Sequence, residues 1–131
     1  HTDYIRNITV HPTQSFVLSC ADDDTIQMFD WDKNSARVNT FRDHDHYIMQ
    51  IQINPKDPSM FASASLDKTI KIWTVGTTKS TANYTLTGHD AGVNCIDFSR
   101  DLERPHIVSG SDDGLVKIWD YQTRQCLFTF D

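Results

Sequence analysis

Nowhere among the 131 residues is there an apolar run of the roughly 18 residues that a membrane-spanning helix needs, and no leader pattern precedes the first strand-like segment. Helical periodicity is missing too. No stretch of useful length repeats its apolar residues at the spacing of one helix face. Lysine and arginine total 12 against 18 acidic residues, a net charge of −6. That leaves no basic stripe for nucleic-acid phosphates and fits a basic peptide better, although most acidic proteins use such charge for solubility. No glycine-rich phosphate loop is present, so a nucleotide site is not indicated. The five glycines and four prolines are scattered among turns, so there is no low-complexity linker either. Cysteine is scarce: Cys20, Cys95 and Cys126 stand apart, each inside an apolar run. They read as small buried hydrophobes of a reducing, cytosolic compartment rather than as a disulfide frame or a zinc site.

The positive signal is a repeat. His1, Ser19, Asp23 and Phe29 return as His44, Ser63, Asp67 and Trp73, and again as Gly88-His89, Ser109, Asp113 and Trp119-Asp120. His44 follows His1 by 43 positions and His89 follows His44 by 45. A Gly-His opening and a Trp-Asp close at that period resemble the WD repeat, in which each copy is one four-stranded blade of a β-propeller. Segments of β-forming residues fit the pattern. The first repeat offers Tyr4–Val10, Phe16–Ala21, Thr25–Asp30 and Ala36–Phe41. The second offers Tyr47–Ile53, Met60–Ser65, Thr69–Thr74 and Asn83–Thr87. The third offers Val93–Phe98, Ile107–Ser111, Leu115–Asp120 and Cys126–Phe130.

The expected fold is therefore all-β, one partial propeller over residues 1–131 with blades of about 1–43, 44–88 and 89–131. Three blades cannot close a ring, so the chain reads as part of a larger one. Blades pack on both faces, so a trio leaves two apolar faces without partners and is expected either to pair with another copy or to be a trimmed fragment of the parent ring.

In the WD family the repeated polar residues form a structural line, and the resemblance places His89–Ser109–Asp113–Trp119 and His44–Ser63–Asp67–Trp73 in such lines. His1, Ser19 and Asp23 form a shorter one, since Phe29 has no N–H to give Ser19. Serine, histidine and aspartate together also invite a hydrolase reading. It fails because the set recurs in every repeat, the serine is mid-strand, and the tryptophan competes for its oxygen. His44-Asp45-His46 lacks a further convergent metal ligand, while His11 and His106 border strands and read as turn or surface residues.

The wording between these positions is more specific. Asp3–Ser19 (DYIRNITVHPTQSFVLS), His46–Pro58 (HYIMQIQINPKDP), Phe61–Trp73 (FASASLDKTIKIW), Gly92–Phe98 (GVNCIDF) and Asp112–Thr123 (DDGLVKIWDYQT) resemble the N-terminal propeller of the coatomer beta-prime family, blades three to five of a seven-bladed ring. The resemblance implies a non-enzymatic, cofactor-free receptor for dilysine signals at the C-termini of membrane cargo. It also implies other coatomer subunits as partners, peripheral membrane association through the coat, and a cytoplasmic place on Golgi membranes and vesicles. Carried over by position, Asp3 and Asp22 match the lysine-binding acids, Asp112 an acid on the same rim, and Arg6 a basic neighbour. The middle repeat has His46 and Leu66 at the equivalent places, so the repeat does not dictate the acids. Read without the resemblance, Asp22-Asp23-Asp24 and Asp112-Asp113 are equally solvated turns, and a scaffold propeller without a lysine pocket is the alternative.

Overall fold

The computed structural model describes residues 1–34 and 36–131, which form twelve strands in three four-stranded antiparallel sheets. The first sheet contains β1 (Ile5–Val10), β2 (Phe16–Ala21), β3 (Ile26–Asp30) and β4 (Ala36–Phe41). The second contains β5 (Ile48–Ile53), β6 (Met60–Ser65), β7 (Ile70–Thr74) and β8 (Tyr84–Leu86). The third contains β9 (Val93–Phe98), β10 (His106–Ser111), β11 (Val116–Asp120) and β12 (Gln125–Phe130). Each sheet is a meander in which neighbours in sequence pair. This is the all-β propeller-blade architecture that the repeat implies, with the arc open.

Local chemistry sets the edges of these strands. Thr25 and Thr69 were expected to open strands, yet β3 and β7 begin one residue later. The threonine amides and hydroxyls are turned onto Asp23 and Asp67, which makes them the last residues of the tight turns. The same turns need a left-handed residue, supplied by Asp24 at φ 63°, Lys68 at φ 77° and Gly114 at φ 83°. Only the third turn uses the residue for which that conformation is free of strain.

The sheets stack through their inner strands: β5 packs on β1 and β2, and β9 packs on β5 and β6. Leu18, Ile26, Met28 and Phe41 of the first sheet meet Ile48, Ile51, Phe61 and Trp73 of the second in one core. Ala62, Ala64, Ile70 and Leu86 meet Val93, Ile96, Ile107 and Trp119 in another. Both faces of the middle sheet are thus buried, which is why its strands read as nearly continuous apolar runs. A polar stitch accompanies each core. The Asn7 side-chain oxygen accepts the Ile51 N–H at 3.2 Å, and that of Gln50 accepts the Ile96 N–H at 2.8 Å.

Two expectations are corrected. Cys20 is fully buried, and burial pushes its thiol up to about 12, but Cys95 and Cys126 are exposed. Alternation along β9 turns Val93, Ile96 and Phe98 inward, leaving Cys95 on the open face, while every residue of β12 is exposed at the edge of its sheet. His11 is not a surface residue. It is buried between loops of the first and second sheets, where Nε2 donates to the Pro58 carbonyl at 3.0 Å and Nδ1 accepts the amides of Thr13 and Gln14.

Candidate functional site

Two sets of polar residues lie at the turn end of the sheets, and they differ in what they can reach. One is the histidine line. In the second sheet the Trp73 indole donates to Ser63 Oγ at 2.8 Å, Ser63 meets His44 Nε2 at 2.6 Å, and His44 Nδ1 meets Asp67 at 2.7 Å. The third sheet repeats it with Trp119 to Ser109 at 2.8 Å, Ser109 to His89 at 2.7 Å and His89 to Asp113 at 2.8 Å. In the first, His1 bonds Ser19 at 2.6 Å and Asp23 at 2.9 Å, and Phe29 contributes no donor. One proton arrangement satisfies each full line: Nδ1–H donates to the carboxylate and Nε2 accepts the serine O–H.

Each carboxylate also collects backbone donors, Asp67 from Asp45 and Thr69, and Asp113 from Asp90 and Leu115. Burial raises the Asp67 carboxyl, but the His44 ring and the Thr69 hydroxyl outweigh it and hold the group well below the usual carboxylate range. Asp113 is held down in the same way. Ser63 is fully buried and Ser109 nearly so, with both oxygens already occupied, so neither can meet a substrate. These lines fasten the blades.

The other set lies on the rim. The inner strands β1, β5 and β9 each carry a bulge near their start, shown by register shifts between Ile5 and Asn7, between Ile48 and Gln50, and opposite Gly110 and Ser111. The extra residues are Arg6, Met49 and Asn94. A bulge re-aims the side chain it inserts, and in the first and third sheets it points at the turn residue of the same sheet. Arg6 Nε and Nη2 each donate to Asp22 at 2.6 Å, a bidentate pair. Asn94 donates to Asp112 at 2.6 Å. The Arg6 hydrogen bonds hold the Asp22 carboxyl below its ordinary range, against some loss of solvation, and Asp22 holds the guanidinium up in turn.

Asp3 lies close enough to Arg6 to act on its charge, and its own exposed carboxylate accepts the Tyr4 amide at 2.7 Å. His46 of the next blade borders Asp22 and Asp24. Asp3, Arg6 and Asp22 are therefore one cluster. Asp112 is exposed and belongs to a separate pairing with Asn94. Among the described residues no three His, Cys, Asp or Glu side chains converge as a metal site.

Some partners escaped the sequence reading. The Asp-x-Thr spacing of Asp23-Asp24-Thr25 and Asp67-Lys68-Thr69 could have revealed the threonine bonds, because a hydroxyl two residues after a turn aspartate reaches it. The Arg6–Asp22 pair left no such mark, since bulges are invisible in composition. Gly92 was also passed over. A Cβ there would lie 2.7 Å from Leu66 Cδ2 and 3.0 Å from Leu66 Cα. Gly92→Val should therefore cost about 1–3 kcal/mol in urea denaturation by forcing the second and third sheets apart.

Three bulged four-stranded meanders, each carrying a histidine–serine–aspartate line that tryptophan completes in the second and third, define a WD-repeat propeller, and the chain belongs to that family. The model of the WD domain, G-beta repeat, matches residues 1–30, 35–74 and 80–120. More particularly, the chain is similar to coatomer subunits beta-prime. It is 49% identical to coatomer subunit beta'-2 of Arabidopsis thaliana over 103 residues, which cover 79% of this chain and 11% of that protein. It is 55% identical to coatomer subunit beta' of Rattus norvegicus and 54% identical to that of Homo sapiens, in each case over 84 residues covering 64% of this chain and 9% of the relative. The chain thus spans about a tenth of the length of the curated relatives it matches.

Proposed function

We propose that the chain is a cargo-reading part of a vesicle coat subunit, and that its rim receives lysine side chains of C-terminal dilysine sequences. It does so in the cytoplasm, on Golgi membranes and vesicles, by recognition without chemistry and alongside other coatomer subunits. The observation that carries the reading is the Asp3–Arg6–Asp22 cluster. It sets two carboxylates beside one guanidinium, at positions that the fold itself fills with His46 and Leu66 in the neighbouring repeat. Asp3 is exposed and free to accept an ammonium; the Asp22 side chain is only 4% exposed and both its oxygens accept from Arg6, so it would meet a lysine through its remaining lone pairs and its charge. An incoming lysine would complete a charge-assisted array. Asp112 offers a further acceptor on the third blade. The likeness to coatomer subunits beta-prime supports the coat role, and no helix among the described residues is long and apolar enough to cross a membrane.

Titration calorimetry with a peptide ending in Lys-Lys-x-x tests the proposal. Asp3→Ala or Asp22→Ala should weaken binding by about tenfold or more, the loss of one charge-assisted bond. A peptide with serines in place of both lysines should not bind. Equal affinity of both variants and the parent chain for the lysine peptide would sink the assignment and leave a scaffold propeller.

A further inference from the structure

At the strand ends opposite the acidic rim, the second and third sheets enclose a groove of about 500 Å³. Strand register puts it there: Met60 pairs with Thr74 and His106 with Asp120 at this end, while the turn aspartates Asp67 and Asp113 close the other. Its two walls are sheets that pack on each other within the chain. The second sheet supplies Lys56 and Tyr84, and the third supplies Leu102, Tyr121 and Arg124.

Arg124 is poised for an acceptor. Its guanidinium lies over the Tyr84 ring, 4.1 Å from the centroid. That ring is half-buried and fixed, because its hydroxyl donates to the Tyr121 carbonyl. The Arg124 backbone amide donates to the Asp120 carbonyl at 2.8 Å, but among the described residues no group accepts from the exposed guanidinium. Arg124 also takes a left-handed backbone, φ 65°, where the matching turn of the first sheet uses Asn34 at φ 57°. Asparagine adopts that conformation more readily, so arginine here carries a conformational cost.

The repeat does not call for this arrangement. Register makes Asn39 the counterpart of Tyr84, since Asn39 pairs with Met28 as Tyr84 pairs with Ile72. Asn39 donates to the Thr77 and Lys79 carbonyls and so ties down the next loop by itself. Lys56 stands where the first repeat has Thr13. It lies 5.9 Å from the Tyr121 ring and donates to the Asp101 and Arg104 carbonyls at 2.6 and 2.7 Å, which leaves one ammonium proton over. Those bonds brace the loop that holds Leu102 beside the groove, 87% exposed.

We infer that this groove binds an acidic peptide segment of a partner protein, with one carboxylate paired to Arg124 and an apolar side chain laid against Leu102. A guanidinium resting on a ring keeps its N–H fork at the edge, the geometry that meets a carboxylate through two hydrogen bonds. The lining selects a single carboxylate over a polyanion. Lys56 and Arg124 are offset by Asp57 and Glu103, so the groove has no net formal charge and no long-range pull on nucleic acid or an anionic bilayer. Asp57 is in turn occupied by the Ser59 amide and hydroxyl. The inference does not depend on the lysine-binding reading, because Asp3 and Asp22 lie at the other end of the strands.

Magnetic resonance of the isotope-labelled chain tests it, with the blocked peptide Gly-Asp-Leu-Asp-Leu-Gly as probe and a control carrying asparagine for both aspartates. The aspartate peptide should shift the Arg124 Nε–H and Gln122 amide signals to saturation, and the control should shift neither. Arg124→Asn, which places at this turn the residue that the first sheet already uses, should weaken binding about tenfold or more. Leu102→Ala, which trims a side chain that the folded chain leaves bare, should weaken it about threefold. Asp22→Ala should leave the affinity for this peptide unchanged. Equal binding of the control peptide, parental affinity in Arg124→Asn, or shifts confined to other surfaces would overturn the inference. So would displacement of the peptide by phosphatidylserine vesicles, which would make the groove a lipid site.

Discussion

Trp73→Ala should lower the unfolding free energy by about 4 kcal/mol, while Trp73→Phe should lower it by only about 1 kcal/mol. Trp73 is 1% exposed; its ring stacks on Phe61 at 5.9 Å and meets the edge of Phe41 at 5.4 Å. Alanine there leaves a cavity in the core shared by the first two sheets and also strips Ser63 of its indole donor. Phenylalanine keeps most of the volume and removes only the N–H. The first sheet already has that arrangement, with Phe29 at this position and Ser19 bonded to His1 alone among these groups. Urea denaturation followed by circular dichroism measures both. Equal losses for the two variants would mean that the hydrogen bond, and not the filled volume, dominates. A loss of 4 kcal/mol is a large fraction of what a single domain has, so the alanine variant should already be partly unfolded near body temperature.

The second large effect is expected in acid. The Asp67 carboxyl is held below its ordinary range in the folded chain, where it accepts from the His44 ring, the Thr69 hydroxyl and two backbone amides. A carboxyl depressed on folding contributes stability that is complete above its unfolded value, about 3.9 for aspartate. That stability disappears as the pH falls from there through the lower, folded value. Asp113 contributes in the same direction from the third sheet. Stability should thus be flat near neutrality and fall steeply below about pH 4. Asp67→Asn should cost about 2–3 kcal/mol at pH 7, because an amide turns N–H groups toward donors that need an acceptor. It should also make the acid limb shallower. Unfolding free energies measured from pH 7 to 3 check both parts, and an unchanged acid slope in the variant would remove Asp67 as a source of the linkage.

How much of this was readable depended on whether a residue's environment lies within its own repeat. The strands of each sheet pair with sequence neighbours, so alternating β-formers and turn aspartates placed all twelve to within a residue or so. His44, Ser63, Asp67 and Trp73 likewise sit inside one blade, and the spacing of the last three is repeated by Ser109, Asp113 and Trp119. Contacts between blades left no such trace. His11 looked like a turn residue because its partner, the Pro58 carbonyl, is 47 positions away. Cys95 and Cys126 looked buried because an apolar neighbourhood in sequence does not say which face of a sheet has a partner. On the rim, Asp3 and Asp22 stood out because their counterparts are His46 and Leu66. What could not be read was that Arg6 is turned onto Asp22, since the bulge that aims it depends on which residues of β2 it pairs with.

The turn carboxylates have one more consequence, and it concerns time rather than stability. Asp45 and Asp90 are exposed loop residues, yet their amide hydrogens end on Asp67 and Asp113 at 3.1 and 3.0 Å. In hydrogen–deuterium exchange, amides in such loops ordinarily label at once. These two should instead label only when the histidine line behind them lets go, which makes them clocks for the opening of single blades, set in loops where no strand protection would be sought.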